Sequence, residues 1–303
     1  MLDAIIIGAG PAGLNASLYL SRYGLKHVII GSVPGGLAST PHLIANWLGI
    51  EKINGLDLTQ LMLKHVKSYG IEFKEKMASS ITKIDGGYKV ILANNEVFES
   101  KTLILALGTS HRHLGVPGEA EFLGKGISYC ATCDGFFFKQ KTVAVIGGND
   151  AAATAAVHLG EIADKVYLIY RGAELRAEDA WQKAIATNPK IEIIFNTNVL
   201  AIKGETKVSA LELSKDFNGS NILNIDGIFI EVGSEPNTEL LKECGINMDE
   251  NGFIIIDATG STNIPGIYAA GDITTGSNKF RQIITAASEG AIAANSILKY
   301  IKQ

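Results

Sequence analysis

Apolar residues fall into short unbroken runs along the chain. Each of the main runs is followed by glycines and then by a stretch of helical spacing. The first run is Ala4–Ile7. Four consecutive apolar residues, three of them isoleucine, predict a strand covered on both faces. Gly8-Ala9-Gly10-Pro11-Ala12-Gly13 follows, and Leu14, Leu18 and Leu20 then repeat at helical spacing to about Arg22. Val28–Ile30 predicts a second strand, and helical spacing returns over Leu56–Tyr69. Between Ser79 and Leu107 the pattern shortens, with turn signals at Asp85-Gly86-Gly87 and Asn94-Asn95. That pattern predicts a β-meander.

The strand, glycine turn and helix then restart. Thr142–Ile146 predicts a strand, Gly147-Gly148-Asn149-Asp150 a turn, and the alanine-rich stretch beyond it a helix. Further strands are predicted at Lys165–Tyr170, Ile191–Phe195, Lys207–Leu213 and Gly227–Glu231. The tail predicts a strand at Gly266–Ala269, the turn Ala270-Gly271-Asp272, and a helix over Gln282–Lys302. Two units of one kind, about 140 residues apart, indicate a duplicated nucleotide-binding type of fold rather than a short-repeat array. Leu114–Gly118 and Gly233–Asn237 carry Gly and Pro between periodic segments and are candidate joints.

Composition narrows this picture. A chain of 303 residues fits roughly two domains. Its 33 glycines are about 11% of the chain, above the usual ~7%, so backbone turns carry unusual weight. A net charge of −4 gives no basic field for nucleic acid or an anionic membrane. No apolar run approaches the ~18 residues of a membrane span, and the N-terminus lacks the basic flank and cleavage site of a leader. These features predict a cytoplasmic location. Three cysteines are too few for a disulfide scaffold.

Two motifs carry chemistry. Gly8-x-Gly10-x-x-Gly13, after a strand and opening a helix, suits a pyrophosphate: the glycines allow a tight turn and close approach, and the helix N-terminus supplies N–H donors. Its plain alternative is a turn needed only for packing. The acid expected about 20 residues further on, to hold a ribose, is replaced by Gly31-Ser32. The second motif is Cys130-Ala131-Thr132-Cys133-Asp134. A vicinal thiol pair can cycle between dithiol and disulfide, and the adjacent acid can protonate a leaving thiolate. Two other readings stand beside it: a zinc site completed by His111 and His113, or buried structural thiols. The spacing fits no zinc finger, so no metal is expected. Cys244 reads as a small core residue.

The chain resembles the low-molecular-weight thioredoxin reductases. The carrying motifs are Gly8-Ala9-Gly10-Pro11-Ala12-Gly13, Cys130-Ala131-Thr132-Cys133-Asp134-Gly135-Phe136-Phe137, Ala270-Gly271-Asp272 and Arg281-Gln282, in family order along essentially the whole chain. The resemblance implies an α/β flavoprotein fold with two dinucleotide-binding domains: an FAD domain with a β-meander, and an inserted unit of the NADPH-domain kind. The implied domains are residues 1–113 and 236–303 for FAD and 114–235 for the insert carrying the cysteines. It implies FAD held by Gly8, Gly10, Pro11, Ala12, Gly13, Gly36, Thr40, Asn46, Gly108, Gly271, Asp272, Arg281, Gln282 and Ile283. Cys133 would face the flavin, Cys130 would attack the partner's disulfide, and Asp134 would donate the proton. Thioredoxin or a thioredoxin-like protein would be the partner, and the enzyme would be a homodimer.

Departures from the family pattern cluster in the insert. The family's Gly-x-Gly-x-x-Ala reads Gly147-Gly148-Asn149-Asp150-Ala151-Ala152, and its His-Arg-Arg reads Tyr170-Arg171-Gly172 with Arg176 beyond. A side chain at Asn149 would sit where phosphate oxygens go, Asp150 would cap the helix and repel phosphate, and Gly172 removes a phosphate-pairing arginine. These changes make NADPH doubtful and point to the pyridine-nucleotide-independent branch, in which reduced ferredoxin is the donor. An NADPH-dependent thioredoxin reductase is the alternative. A small-molecule dithiol oxidase and a non-catalytic flavin-binding regulator remain further alternatives.

Overall fold

The computed structural model describes residues 1–41 and 43–302 and, Lys279 excepted, their side chains. The chain forms two compact units. One comprises Met1–Ser39, Ala45–Ser110 and Glu235–Gln303, and the other Thr40–Ile44 and His111–Ser234. The chain begins with β1 (Leu2–Ile7), α1 (Pro11–Arg22), β2 (His27–Ile30) and α2 (Gly55–Lys67). It continues through β3 (Glu72–Lys74), β4 (Ala78–Ile84), β5 (Gly87–Leu92), β6 (Val97–Leu105) and β7 (Thr109–His111). The second unit holds β8 (Ile127–Ser128), α3 (Ala131–Asp134), β9 (Thr142–Ile146), α4 (Asp150–Ile162), β10 (Lys165–Ile169), α5 (Asp179–Ala186) and β11 (Ile191–Ile194). It then adds β12 (Val199–Gly204), β13 (Val208–Phe217), β14 (Ser220–Asn224) and β15 (Gly227–Ile230). The return is made by β16 (Ser234–Pro236), β17 (Ile267–Ala269) and α6 (Ile283–Ile301).

In the first unit β3, β2, β1 and β6 lie side by side and parallel, and β17 adds to β6. The meander β4–β5 joins the same sheet antiparallel through β6. β1 shows why its sequence is continuously apolar. Ala4 and Ile6 pack into the core beneath α1 and α6, whereas Ile5 and Ile7 pack into the core on the other face. Each of these isoleucines is essentially fully buried and contributes on the order of 2–3 kcal/mol of apolar burial.

The second unit repeats the scheme in a five-stranded sheet ordered β11-β10-β9-β15-β8, with every pair parallel. β12, β13 and β14 form a separate antiparallel sheet, and the core shared with β9 and β15 includes Leu211, Leu213 and Ile230. The predicted strands and helices all occur, most within one or two residues of their expected ends. The segments that periodicity did not mark are β3, β8, β12, β14, β7, β16 and α5. The first four are edge strands two to six residues long, too short or too exposed to leave an alternating pattern.

The chain crosses between units at 39/40 and 44/45, either side of Thr40–Ile44, and again at 110/111 and 234/235. The glycine-rich stretch Leu114–Gly118 lies beyond the 110/111 crossing, inside the second unit. Its Leu114 and Gly115 N–H groups donate to the buried Glu119 carboxylate at 2.9 and 2.7 Å, which fastens the stretch in place. No helix among the described residues is long and apolar enough to cross a membrane.

In the first unit α1 and α6 pack closely enough for backbone to meet backbone. A Cβ on Gly290 would sit 2.1 Å from the Ala12 carbonyl oxygen. Backbone cannot retreat there as a flexible side chain could. Gly290→Ala is therefore expected to destabilise the protein by about 1–3 kcal/mol. Urea unfolding reads this as a lowered midpoint, and an unchanged midpoint would show that the two helices are free to separate.

Candidate active site

The first glycine turn leaves β1 at Gly8, whose N–H donates to the Ile30 carbonyl at 2.7 Å. Gly8 has φ +117°, and a Cβ there would lie 2.0 Å from the Ala106 carbonyl oxygen of the neighbouring strand's extension. A Cβ on Gly13 would lie 2.0 Å from the Gly8 carbonyl oxygen. Both positions are glycine because backbone presses on them. Gly10 differs. The nearest atom to a Cβ there is 4.0 Å away, so nothing in the protein's own packing requires glycine. Gly10 is also the N-cap of α1, no side chain bonds the helix's first N–H groups, and Pro11 and Ala12 open the helix. An uncapped helix N-terminus beside an open glycine fits an anionic group. Gly36 borders this space, 3.4 Å from the Gly10 Cα by its Cβ position.

The tail brings its residues to the same unit. Gly271 abuts α1, since a Cβ there would meet the Ala12 side chain at 2.9 Å. Asp272 follows, and burial pushes its carboxyl up to about 6, against the pull of Arg281 and with the push of Glu289. The Arg281 side chain donates from Nε to the Asp272 carbonyl at 3.3 Å, and its guanidinium stacks 3.9 Å over the Phe253 ring. Gln282 is the N-cap of α6, Ile283 its first residue, and the Gln282 N–H donates to the Thr285 hydroxyl at 3.0 Å. The Asn46 amide donates to Gln282 Oε1 at 3.0 Å, joining residues 236 positions apart in sequence. Gly108 accepts the Asn237 N–H at 3.1 Å. Thr40 groups with the second unit, its carbonyl oxygen 4.0 Å from the Cys130 sulfur.

In the second unit Cys130 and Cys133 form a disulfide with Cα atoms 5.3 Å apart. Cys130 is the N-cap of α3, and the Cys133 N–H donates to its sulfur at 3.2 Å. That donor would stabilise a Cys130 thiolate once the bond is opened. Cys133 is exposed, Cys130 and Asp134 are half-buried, and Phe136 and Phe137 are 75% and 72% exposed. The Asp134 N–H donates to the Cys130 carbonyl at 3.1 Å. His111 and His113 do not turn to the sulfurs; both rings flank Tyr129, with centroids 5.6 and 5.3 Å from it. Among the described residues no group of three metal-ligating side chains gathers.

The second glycine turn has the opposite chemistry at its helix. Gly147 again fills a backbone crossing, with the Glu231 carbonyl oxygen 2.3 Å from its Cβ position. Asn149 Oδ1 accepts the Ala152 N–H at 3.0 Å and caps α4. Asp150 is not the cap that its sequence position suggested. Its carboxylate accepts the Glu178 N–H at 2.7 Å instead. A Cβ on Gly172 would lie 2.5 Å from the Tyr170 ring, and the Arg176 guanidinium lies over that ring, 5.9 Å from its centroid. Among the carboxyls that the sequence did not single out are Glu231 and Glu289. Burial pushes Glu231 up to about 8, and Glu289 is buried on α6. Both sit in apolar helical or strand patterns with no motif to mark them.

A family model described as pyridine nucleotide-disulphide oxidoreductase matches residues 2–290. A thioredoxin reductase of Listeria innocua is 39% identical over 305 aligned residues, spanning 99% of this chain and 94% of the relative. The crystal structure of Lactococcus lactis thioredoxin reductase superposes with a TM-score of 0.95 at 35% identity, covering 100% of this chain and 99% of that one. A ferredoxin-flavin thioredoxin reductase from Clostridium acetobutylicum is also similar, at 32% identity and a TM-score of 0.55, covering 99% of this chain and 97% of that one. The expected ferredoxin branch and the doubt about NADPH therefore lack support. The departure at Asp150 carries less than the sequence suggested, because its carboxylate is engaged by the Glu178 N–H, whereas Asn149 caps α4 and takes up one of its first N–H donors.

The Asn149 cap yields a direct measurement. Asn149→Ala should cost about 1 kcal/mol and Asn149→Gly only a few tenths. Hydrogen exchange at the Ala152 amide reads the difference, and equal protection in all three proteins would show that the cap does not hold α4.

Proposed function

Because the chain belongs to the pyridine nucleotide-disulphide oxidoreductase family, among its low-molecular-weight thioredoxin reductases, we propose that it is a flavin-dependent thioredoxin reductase whose electron donor is a reduced pyridine nucleotide. The observation that carries the reading is the Cys130–Cys133 disulfide at the start of α3, with the Cys133 N–H directed at the Cys130 sulfur. FAD is the implied cofactor, and the first unit fits it. The uncapped N-terminus of α1 and the open Gly10 suit its pyrophosphate, and the half-buried Asp272 offers an acceptor for its ribityl hydroxyls. When bound, FAD supplies the electron pair that opens a disulfide.

The remaining chemistry belongs to the chain. Opening the Cys130–Cys133 bond takes two electrons and yields two sulfurs as thiol or thiolate. Cys130, with an N–H donor at its sulfur, is the nucleophile. Its thiolate attacks one sulfur of a thioredoxin-like disulfide, forming a mixed disulfide and releasing the partner's other sulfur as thiolate. Cys133 then attacks Cys130, re-forming the internal bond and releasing the partner's second thiol. Asp134, next to the pair, supplies the proton that a departing thiolate takes up. The exposed Phe136 and Phe137 give this segment an apolar flank for a protein partner.

Donor choice is tested with the flavin-loaded protein and thioredoxin as acceptor, offered NADPH, NADH or reduced ferredoxin. NADPH is expected to support turnover, and turnover with ferredoxin alone would overturn the donor assignment. Cys130→Ser is expected to keep its flavin and lose disulfide reduction; retained turnover would remove the pair from the mechanism. Gly10→Ala separates folding from binding. Its Cβ has room in the protein, so the unfolding midpoint should stay within about 0.5 kcal/mol of the original while FAD retention falls. Normal FAD retention would place the pyrophosphate elsewhere.

A further inference from the structure

Glu289 lies on α6 and is buried, at 8% exposure. A buried carboxylate persists only when its oxygens are hydrogen-bonded. Glu289 Oε2 accepts the Gly271 N–H and the Thr274 hydroxyl, both at 2.8 Å, and Oε1 accepts the Ser277 hydroxyl at 2.5 Å. All three donors belong to one loop, residues 271–277, which follows β17. The loop is shaped around the carboxylate. Glu289 Oε1 lies 2.5 Å from where a Gly276 Cβ would be, and the Gly276 N–H donates back to the Thr274 hydroxyl at 3.0 Å. At its far end Ser277 and Asn278 hold φ of +49° and +52°. Non-glycine residues keep that conformation only when their surroundings fix it.

The same loop carries Asp272. The charged groups that face Asp272 are Arg281, from the segment leading into α6, and Glu289, from α6 itself. We propose that Glu289 is a positioning residue for the flavin site: its carboxylate clamps the Gly271–Ser277 loop and so holds Asp272 in place for the ribityl chain of FAD. The proposal rests on the flavin reading of the first unit. It adds a residue that touches no cofactor and acts through the loop it anchors. The negative charge of Glu289 also adds to burial in keeping the Asp272 carboxyl high.

The test is titration of the apoprotein with FAD, followed by flavin fluorescence across a range of pH. Glu289→Gln keeps the side chain's size but removes its charge and turns an N–H toward the three donors. Its FAD Kd is expected to rise roughly tenfold to a hundredfold. Ser277→Ala removes one donor and should raise Kd roughly three- to tenfold; it also carries the test if Glu289→Gln does not fold. The pH profile separates a positioning role from general packing. Burial raises the Asp272 carboxyl to about 6, so FAD binding by the original protein is expected to weaken as pH falls through that value. Without the Glu289 charge this acid limb should move to lower pH. FAD binding within twofold of the original in both variants, or an acid limb that stays in place in Glu289→Gln, overturns the proposal. An original apoprotein that binds no FAD overturns the flavin reading and this inference together.

Discussion

Helix α1 reaches its position through backbone contacts that no side chain could share. Gly8 lies against the Ala106 carbonyl, Gly13 against the Gly8 carbonyl, and Gly290 of α6 against the Ala12 carbonyl. These crossings press the start of α1 onto the end of β1 and bring α6 directly across it. The N-terminal N–H groups of α1 are thereby held at the carboxyl end of a parallel sheet, where such folds place their ligands. The loop containing Asp272 meets α1 at the same place, because Gly271 abuts Ala12. The candidate flavin site is thus a consequence of close helix packing as much as of any polar residue.

The two glycine turns show how one geometry supports different electrostatics. Gly8 and Gly147 make equivalent backbone crossings. Beyond them, Gly10 leaves the first turn of α1 uncapped, whereas Asn149 spends its side chain on the first turn of α4. A helix N-terminus has donors and a partial positive charge to offer, and a capping side chain uses part of that offer. Asp150 would weaken it further as a free carboxylate, but one of its oxygens is taken by the Glu178 N–H. A nucleotide approaching α4 meets a partly satisfied helix end rather than a hostile one.

Buried carboxylates set the order of the loops around both sites. Glu119 gathers the Leu114 and Gly115 N–H groups and the Tyr129 hydroxyl, at 2.9, 2.7 and 2.6 Å, just ahead of the redox pair. Glu289 gathers three donors of the loop after β17. Each takes a flexible, glycine-containing segment and gives it one conformation. Charge-assisted hydrogen bonds in a low-dielectric setting are strong enough to do this, and an unfilled acceptor there is costly enough to exclude alternatives.

By itself, the sequence determined the elements that follow from local spacing. Ala4–Ile7 and Thr142–Ile146 announce buried strands, the glycine turns announce helix starts, and Cys130 and Cys133 at their spacing announce a redox pair. Each of these signals lies within a few residues of its cause. Edge strands such as Glu72–Lys74 and Ser220–Asn224 stayed silent, since a short half-exposed strand needs no alternating pattern. Tertiary structure alone decided which side chain caps α4, where Asp150 points, that Asn46 meets Gln282, and that Glu289 organises the loop bearing Asp272. Those outcomes depend on hydrogen bonds between residues that the fold brings together. Where a polar side chain's partners are distant in sequence, its position gives no hint of whether it faces solvent, a cofactor or a loop it must hold.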